Sequence, residues 1–227
     1  MELFPSFFDS LFGFLQESLQ IILHIDQHLH SWVITLGPWI YVLLFLIIFC
    51  ETGLVITPFL PGDSLLFALG ALAAIPESFL SISVLFIVLS LAAILGDTVN
   101  YSLGKFIGPK IFYSKKVPLL NHEHLIRTQH FYEKHGGKTI VWARFIPIIR
   151  TFAPFIAGIG KMHYEKFLLF NIFGAFFWII SFLTLGYLFG NLPVVQKNFH
   201  YVIFGIIFVS FLPVLVEYLK TLKKKRP

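Results

Sequence analysis

Residues 51–72, ETGLVITPFLPGDSLLFALGAL, put two carboxylates, Glu51 and Asp63, inside a run from Pro38 to Pro76 that is otherwise almost wholly apolar and contains no Lys or Arg. Their counterpart is residues 144–158, RFIPIIRTFAPFIAG, where Arg144 and Arg150 stand in a similarly apolar setting. A carboxylate at the centre of a bilayer costs roughly 2.5–3.5 kcal/mol even on a lenient insertion scale, so intramembrane charges are paired or face a wet cavity, and they are the first candidates for function. Two acids and two arginines sum to zero. The expectation is that Glu51 and Asp63 neutralise Arg144 and Arg150.

Composition places this stretch in a membrane. Of 227 residues, 57% are hydrophobic and 13% charged, where soluble domains approach a quarter charged. The first 30 residues have no basic leader, and Glu2, Asp9 and Glu17 interrupt any apolar core, so a secretory signal is not expected. A single cysteine, Cys50, excludes an internal disulfide and a cysteine-based metal cluster. The net charge of +5 answers to topology rather than to nucleic acid: all 17 Lys and Arg lie at or after Lys105, while 8 of the 12 acids precede it.

Working outward, the run from Pro38 to Pro76 reads as a re-entrant hairpin. Pro58, Pro61 and Gly62 break the helix between the two acids. The flanking arms, Trp39–Cys50 and Ser64–Ile75, hold about 12 residues each and reach about 18 Å, short of a hydrocarbon core of about 30 Å. Irregular backbone at that depth is tolerated only where protein or a watery cavity surrounds it. Upstream, residues 1–30 form a separate N-terminal segment with one polar stripe (Gln16, Glu17, Gln20, His24, Gln27, His28), as an interfacial amphipathic helix has.

Downstream, residues 80–103 are long enough to cross. Asp97, Asn100 and Tyr101 fall on adjacent faces of the last turns, either as a polar helix end at the headgroups or as groups backing the charged site. Lys105–Lys138 is a basic soluble segment, cytoplasmic by the positive-inside rule. Its histidines, His122, His124, His130 and His135, lack the spacing of a metal site, and no metal or cofactor is expected. Thr139–Gly160 leaves this basic loop and returns to Lys161, His163 and Lys166, so both ends prefer one face. With Pro147 and Pro154 supplying the break, it reads as a second re-entrant hairpin, 139–160. Residues 167–190 cross outward, the loop 191–198 follows, and residues 199–219 cross back to a basic cytoplasmic tail. That topology makes the first hairpin enter from the opposite face. Trp32 and Trp39 read as interfacial anchors, Trp142 and Trp178 as packing residues, and Gly70, Gly158 and Gly174 as points of close helix approach.

The halves echo one another. Phe59-Leu60-Pro61 matches Phe145-Ile146-Pro147 at a separation of roughly 85 residues, each followed within three residues by a charge, and LGKFIG at 103–108 matches LGYLFG at 185–190. The fold expected is therefore an all-α polytopic membrane protein: two oppositely oriented re-entrant hairpins, each followed by a transmembrane helix, forming a domain over 31–190. A C-terminal membrane helix and tail occupy 191–227.

On CETGLVITPFLPGDSLLFALGAL, GDTVNYSLGKFIG, FYEKHGGKT and ARFIPIIRTFAPFIAGIGKM the chain resembles the DedA family, the bacterial branch of the SNARE-associated or VTT-domain membrane proteins, over about residues 28–190. The resemblance implies a plasma-membrane protein with two opposed hairpins, dependence on the proton motive force, and return of polyprenyl phosphate carrier lipids such as undecaprenyl phosphate across the bilayer. It implies essential roles for Glu51, Asp63, Arg144 and Arg150. From the residues themselves, Arg144 and Arg150 are candidates to hold a lipid phosphate in bidentate fashion. Glu51 and Asp63 are candidates to couple that step to protons, or to Na⁺. The alternatives are a phospholipid scramblase, a proton-coupled ion transporter, a scaffold whose ion pairs only hold hairpins together, and an intramembrane enzyme. The last is disfavoured because neither hairpin carries a Ser-His, Cys-His or His-acid cluster, and Ser64 beside Asp63 makes no dyad.

Overall fold

The computed structural model describes residues 25–54, 62–76, 78–112 and 137–198, with 201, 202, 205, 206 and 208, and among them every regular element is helical. In chain order these are α1 (Ile25–Leu36), a one-turn 3-10 helix (Gly37–Trp39), α2 (Ile40–Gly53), α3 (Gly62–Ala73), α4 (Ile82–Phe112), α5 (Lys138–Ala143), α6 (Pro147–Ile159), α7 (Tyr164–Phe189) and α8 (Pro193–Lys197). Three stretches are long and apolar enough to cross a membrane: Ser31–Gly53, Ile82–Ile107 and Tyr164–Phe189.

Each long helix has one face turned to protein and another that is apolar and exposed. In α2, Ile40, Leu44, Ile48 and Glu51 are buried on successive turns while Val42 and Leu46 face outward. In α4, Leu85, Leu89, Ala92 and Ala93 are buried while Ile87, Leu91 and Leu95 are exposed, and in α7 Leu169, Phe173, Phe177 and Ile180 are exposed. A surface this apolar suits lipid rather than water. Helices α4 and α7 are the centre of the assembly. α4 packs on α2, α6 and α7, and α7 packs on α3, α4 and α5.

The short helices seat on the long ones by the same device twice. Phe67-Ala68-Leu69-Gly70 of α3 crosses Leu183-Thr184-Leu185-Gly186 of α7: a Cβ on Gly186 would meet the Phe67 carbonyl oxygen, and one on Gly70 the Leu183 carbonyl oxygen. Phe155-Ile156-Ala157-Gly158 of α6 crosses Tyr101-Ser102-Leu103-Gly104 of α4, with Gly104 against the Phe155 carbonyl and Gly158 against that of Tyr101. Backbones this close leave no room for a methyl group. Gly104→Ala and Gly186→Ala are each expected to lower stability by about 1–3 kcal/mol through overpacking, read from reversible unfolding in mixed micelles.

Several expectations need correction. The arm before Glu51 is not limited to about 12 residues. The chain stays helical upstream, turning through Gly37 (φ +53°) and Pro38 at the start of the 3-10 turn, so 31–53 gives 23 residues, about 35 Å. Helix also continues from Ile25 past the boundary placed at residue 30. Helix α4 runs to Phe112, past Lys105, where the basic soluble segment was expected to begin. The loop 191–198 contains the single turn α8. Pro154 is not a break: it lies inside α6, which continues to Ile159. A proline there lacks an N–H for the Arg150 carbonyl and normally kinks a helix, but α6 is held along its length on α4. The break lies at 144–146, where Pro147 takes the first position of α6 and Ile146 is extended (φ −120°, ψ 108°), as a residue before proline prefers. Pro58 and Pro61, residues 1–24, His122 to His135, and most of 199–227 lie outside the described residues.

Candidate functional site

Five ionisable side chains are packed inside this apolar bundle, and none is more than 5% exposed: Glu51, Asp63, Asp97, Arg144 and Arg150. They are the only charged residues that are buried among those described. Charges removed this far from water persist only with partners and hydrogen bonds, and the local fold supplies both.

Glu51 lies in the last turn of α2, and Asp63 in the first turn of α3. Arg150, in the first turn of α6, reaches both. Its Nη2 donates to Glu51 Oε1 at 2.5 Å and its Nη1 to Asp63 Oδ1 at 2.8 Å. Glu51 Oε1 also accepts the Gly62 N–H at 3.1 Å, so a carboxylate from the end of one helix meets the positive N-terminus of the next. Trp178 of α7 closes the site: its indole N–H donates to Asp63 Oδ1 at 2.8 Å, and the Arg150 guanidinium carbon sits 4.8 Å from its ring centroid, a cation–π distance.

Arg144 has different partners. It ends α5 and turns toward α4 and α7, where its Nη2 donates to Asp97 Oδ2 at 2.6 Å and to Asn171 Oδ1. Asn171 in turn donates to the Ile94 carbonyl at 3.1 Å. Gly174 makes the room: a Cβ there would lie 3.1 Å from Arg144 Cδ and Nε. The expected pairing of Glu51 and Asp63 with both arginines is thus corrected. Both acids serve Arg150, Asp97 serves Arg144, and the cluster holds three carboxylates against two guanidiniums, a formal charge of −1.

Asn100, one turn beyond Asp97 on α4, donates from Nδ2 to the Thr52 carbonyl at 2.9 Å and to the Thr151 carbonyl at 2.7 Å. Tyr101 serves a turn instead of the charges: its hydroxyl donates to the Met162 carbonyl, beside Lys161 in the left-handed region (φ 53°), and its ring stacks on Phe167 at 4.5 Å. Several buried polar atoms have no hydrogen-bond partner among the described residues, including Glu51 Oε2, Asp97 Oδ1, Arg150 Nε, and Arg144 Nε and Nη1. No group of three or more His, Cys, Asp and Glu able to hold a metal occurs among the described residues.

Sequence reasoning missed two participants. Trp178 was expected to pack, and it does, but its indole nitrogen is a ligand to Asp63. Asn171 is an amide in an otherwise apolar stretch of a spanning helix, and that incongruity was the available signal.

The VTT domain family matches residues 60–188. The chain is 50% identical to Protein DedA of Escherichia coli over 202 residues, covering 89% of this chain and 92% of that protein. It is 41% identical to an uncharacterized membrane protein of Mycobacterium tuberculosis over 181 residues (80% and 79%), and 35% identical to the inner membrane protein YqjA of Escherichia coli over 158 residues (70% and 71%). No solved structure matches.

Proposed function

The chain belongs to the DedA family of VTT-domain membrane proteins, and from that membership together with its buried charges we propose that it carries an anionic lipid, of the polyprenyl phosphate class, across the membrane. The observation that carries this reading is the five-charge cluster, buried where the short helices α3 and α6 begin. A lipid phosphate needs cations at mid-membrane, and its tail needs hydrocarbon. Helices α3 and α6, too short to span, would enter half-way from opposing leaflets and bring their charged ends together. The twofold use of one crossing, Phe-x-x-Gly on x-x-Leu-Gly, supports reading the halves as an inverted repeat of the kind secondary transporters use.

In this proposal the arginines are the phosphate ligands. Arg144, with Nε and Nη1 not engaged by protein among the described residues, receives the phosphate, and Arg150 joins when its acids release it. The acids set the timing. A phosphate and the carboxylates compete for the same guanidiniums, so protonating Glu51 or Asp63 favours lipid capture and lipid release favours re-pairing. The extra carboxylate suits uptake of one H⁺, or one Na⁺, by a cluster whose formal charge is −1. The C-terminal tail would lie in the cytoplasm, and the whole of 31–190 would act as one unit.

The test is reconstitution in liposomes of defined phospholipid, with polyprenyl phosphate or without it and with a pH gradient or without one. Headgroup crossing is expected to depend on the protein and on the gradient. Glu51→Gln and Asp63→Asn are each expected to slow it about tenfold or more and to flatten its response to the gradient. Unchanged rates and responses in both variants remove the acids from the mechanism. Arg144→Lys keeps the charge and loses the fork; full activity in that variant counts against phosphate recognition. Movement of ordinary phospholipid at the same rate, without a gradient, points to a scramblase, and gradient-driven ion flux without lipid movement to an ion transporter. The engagement of both Arg150 terminal nitrogens favours a second reading, a structural pin, which requires lipid movement to survive in any variant that still folds.

A further inference from the structure

We propose that Asn100 is the latch between the two broken segments: it holds Glu51 against Arg150 by fastening the residue after each, and the ion pair opens only when that fastening lets go. Thr52 follows Glu51 in the last turn of α2, and Thr151 follows Arg150 where the second turn of α6 begins. One amide nitrogen from a third helix binds both carbonyls, at 2.9 and 2.7 Å, in a fully buried position. Carbonyls of a helix's last turn lack an intrahelical donor, and Asn100 supplies one to Thr52. The approach is built in. A Cβ on Gly53 would lie 3.2 Å from Gly96 Cα, so α2 and α4 meet almost backbone to backbone, which brings Asn100, one turn past Gly96, within reach.

Two features make this more than packing. Helices α2 and α6 have little contact otherwise, so the link between them runs through the Glu51–Arg150 pair and through Asn100. The amide is also used as a donor only, since its Oδ1 has no partner among the described residues. An aspartate of the same shape therefore cannot substitute, because it offers no N–H and faces two carbonyl oxygens. Asn100 is a positioning residue. The inference rests on the geometry of the ion pair and is independent of the cargo.

The chain carries its own reporters. Cys50, half-buried beside Glu51, is the one cysteine in the sequence, and Trp178 touches both Asp63 and Arg150. The experiment follows maleimide labelling of Cys50, and Trp178 emission in a background with Trp32, Trp39 and Trp142 replaced by Phe, in the full chain in lipid nanodiscs. Asn100→Asp and Asn100→Ala are expected to raise the labelling rate about tenfold or more, as loss of buried hydrogen bonds shifts a local opening equilibrium, and to alter Trp178 emission while helical circular dichroism is retained. Asn100→Gln, which keeps the donor, labels more slowly than Asn100→Ala. Ser102→Ala, which loses only a bond to the Thr98 carbonyl of its own helix, labels at the parental rate. The proposal is overturned if both Asn100→Asp and Asn100→Ala label at the parental rate. It is also overturned if labelling rises only in step with loss of helical circular dichroism, or rises with the helix content retained while Trp178 emission stays at the parental value, or if Asn100→Gln labels as fast as Asn100→Ala.

Discussion

Alanine in place of Arg150 is expected to destabilise the folded chain by about 3–5 kcal/mol, the range observed when one partner of a buried ion pair is removed. The reason is what stays behind. Glu51 and Asp63, 0% and 5% exposed, would keep their desolvation and lose the cation that both hydrogen-bond, and Trp178 would lose the guanidinium over its ring. Reversible unfolding in mixed micelles measures the loss. Adding Glu51→Gln and Asp63→Asn to Arg150→Ala is expected to recover part of it, since two amides leave no unpaired charge, and the non-additivity reports the coupling. A loss below about 1 kcal/mol would mean that the three side chains do not form a buried triad.

The second large effect falls on Asp97. Asp97→Ala leaves Arg144 buried, with Asn171 as its one remaining side-chain partner among the described residues, and is expected to cost about 3–5 kcal/mol as well. Asp97→Asn should cost less, because an amide oxygen still accepts from Nη2. Asp97→Ala with Arg144→Ala should cost less than the sum of the singles. This series tests the pairing directly. Were Arg144 neutralised by Glu51 or Asp63, as charge balance in the sequence suggested, removal of Asp97 would be nearly silent and the double-mutant coupling close to zero.

How much of this was readable without coordinates follows from the range of each interaction. Glu51, Asp63, Arg144 and Arg150 stood out because a charge in an apolar run contradicts its surroundings, a contrast visible within a few residues. Pro147 was legible as the edge of a helix for the same local reason, although Pro154 shows that a proline breaks a helix only when tertiary packing fails to hold it. Which acid met which arginine was not legible. Arg150 and Glu51 are 99 positions apart, and Arg144 and Asp97 47, so pairing depends on how α4 and α6 cross, which is set by Gly104 and Gly158. Asp97 read either as a polar helix end or as a group backing the charged site, and the choice was open because its partner comes from elsewhere in the chain. Trp178 was assigned to packing because its bulk dominates its pattern, while its single N–H, the atom that matters here, leaves no periodic trace.

The exchange of short helices bears on how the chain is made. Helix α3 belongs to the first half but seats on α7, and α6 belongs to the second half but seats on α4. During synthesis α3 is complete long before α7 emerges, and its begun end carries Asp63 with no arginine yet translated. Until Arg150 and α7 follow, Asp63 lacks its cation and α3 its seat, although α2 can already pack on α4, so the two halves are expected to complete their packing together.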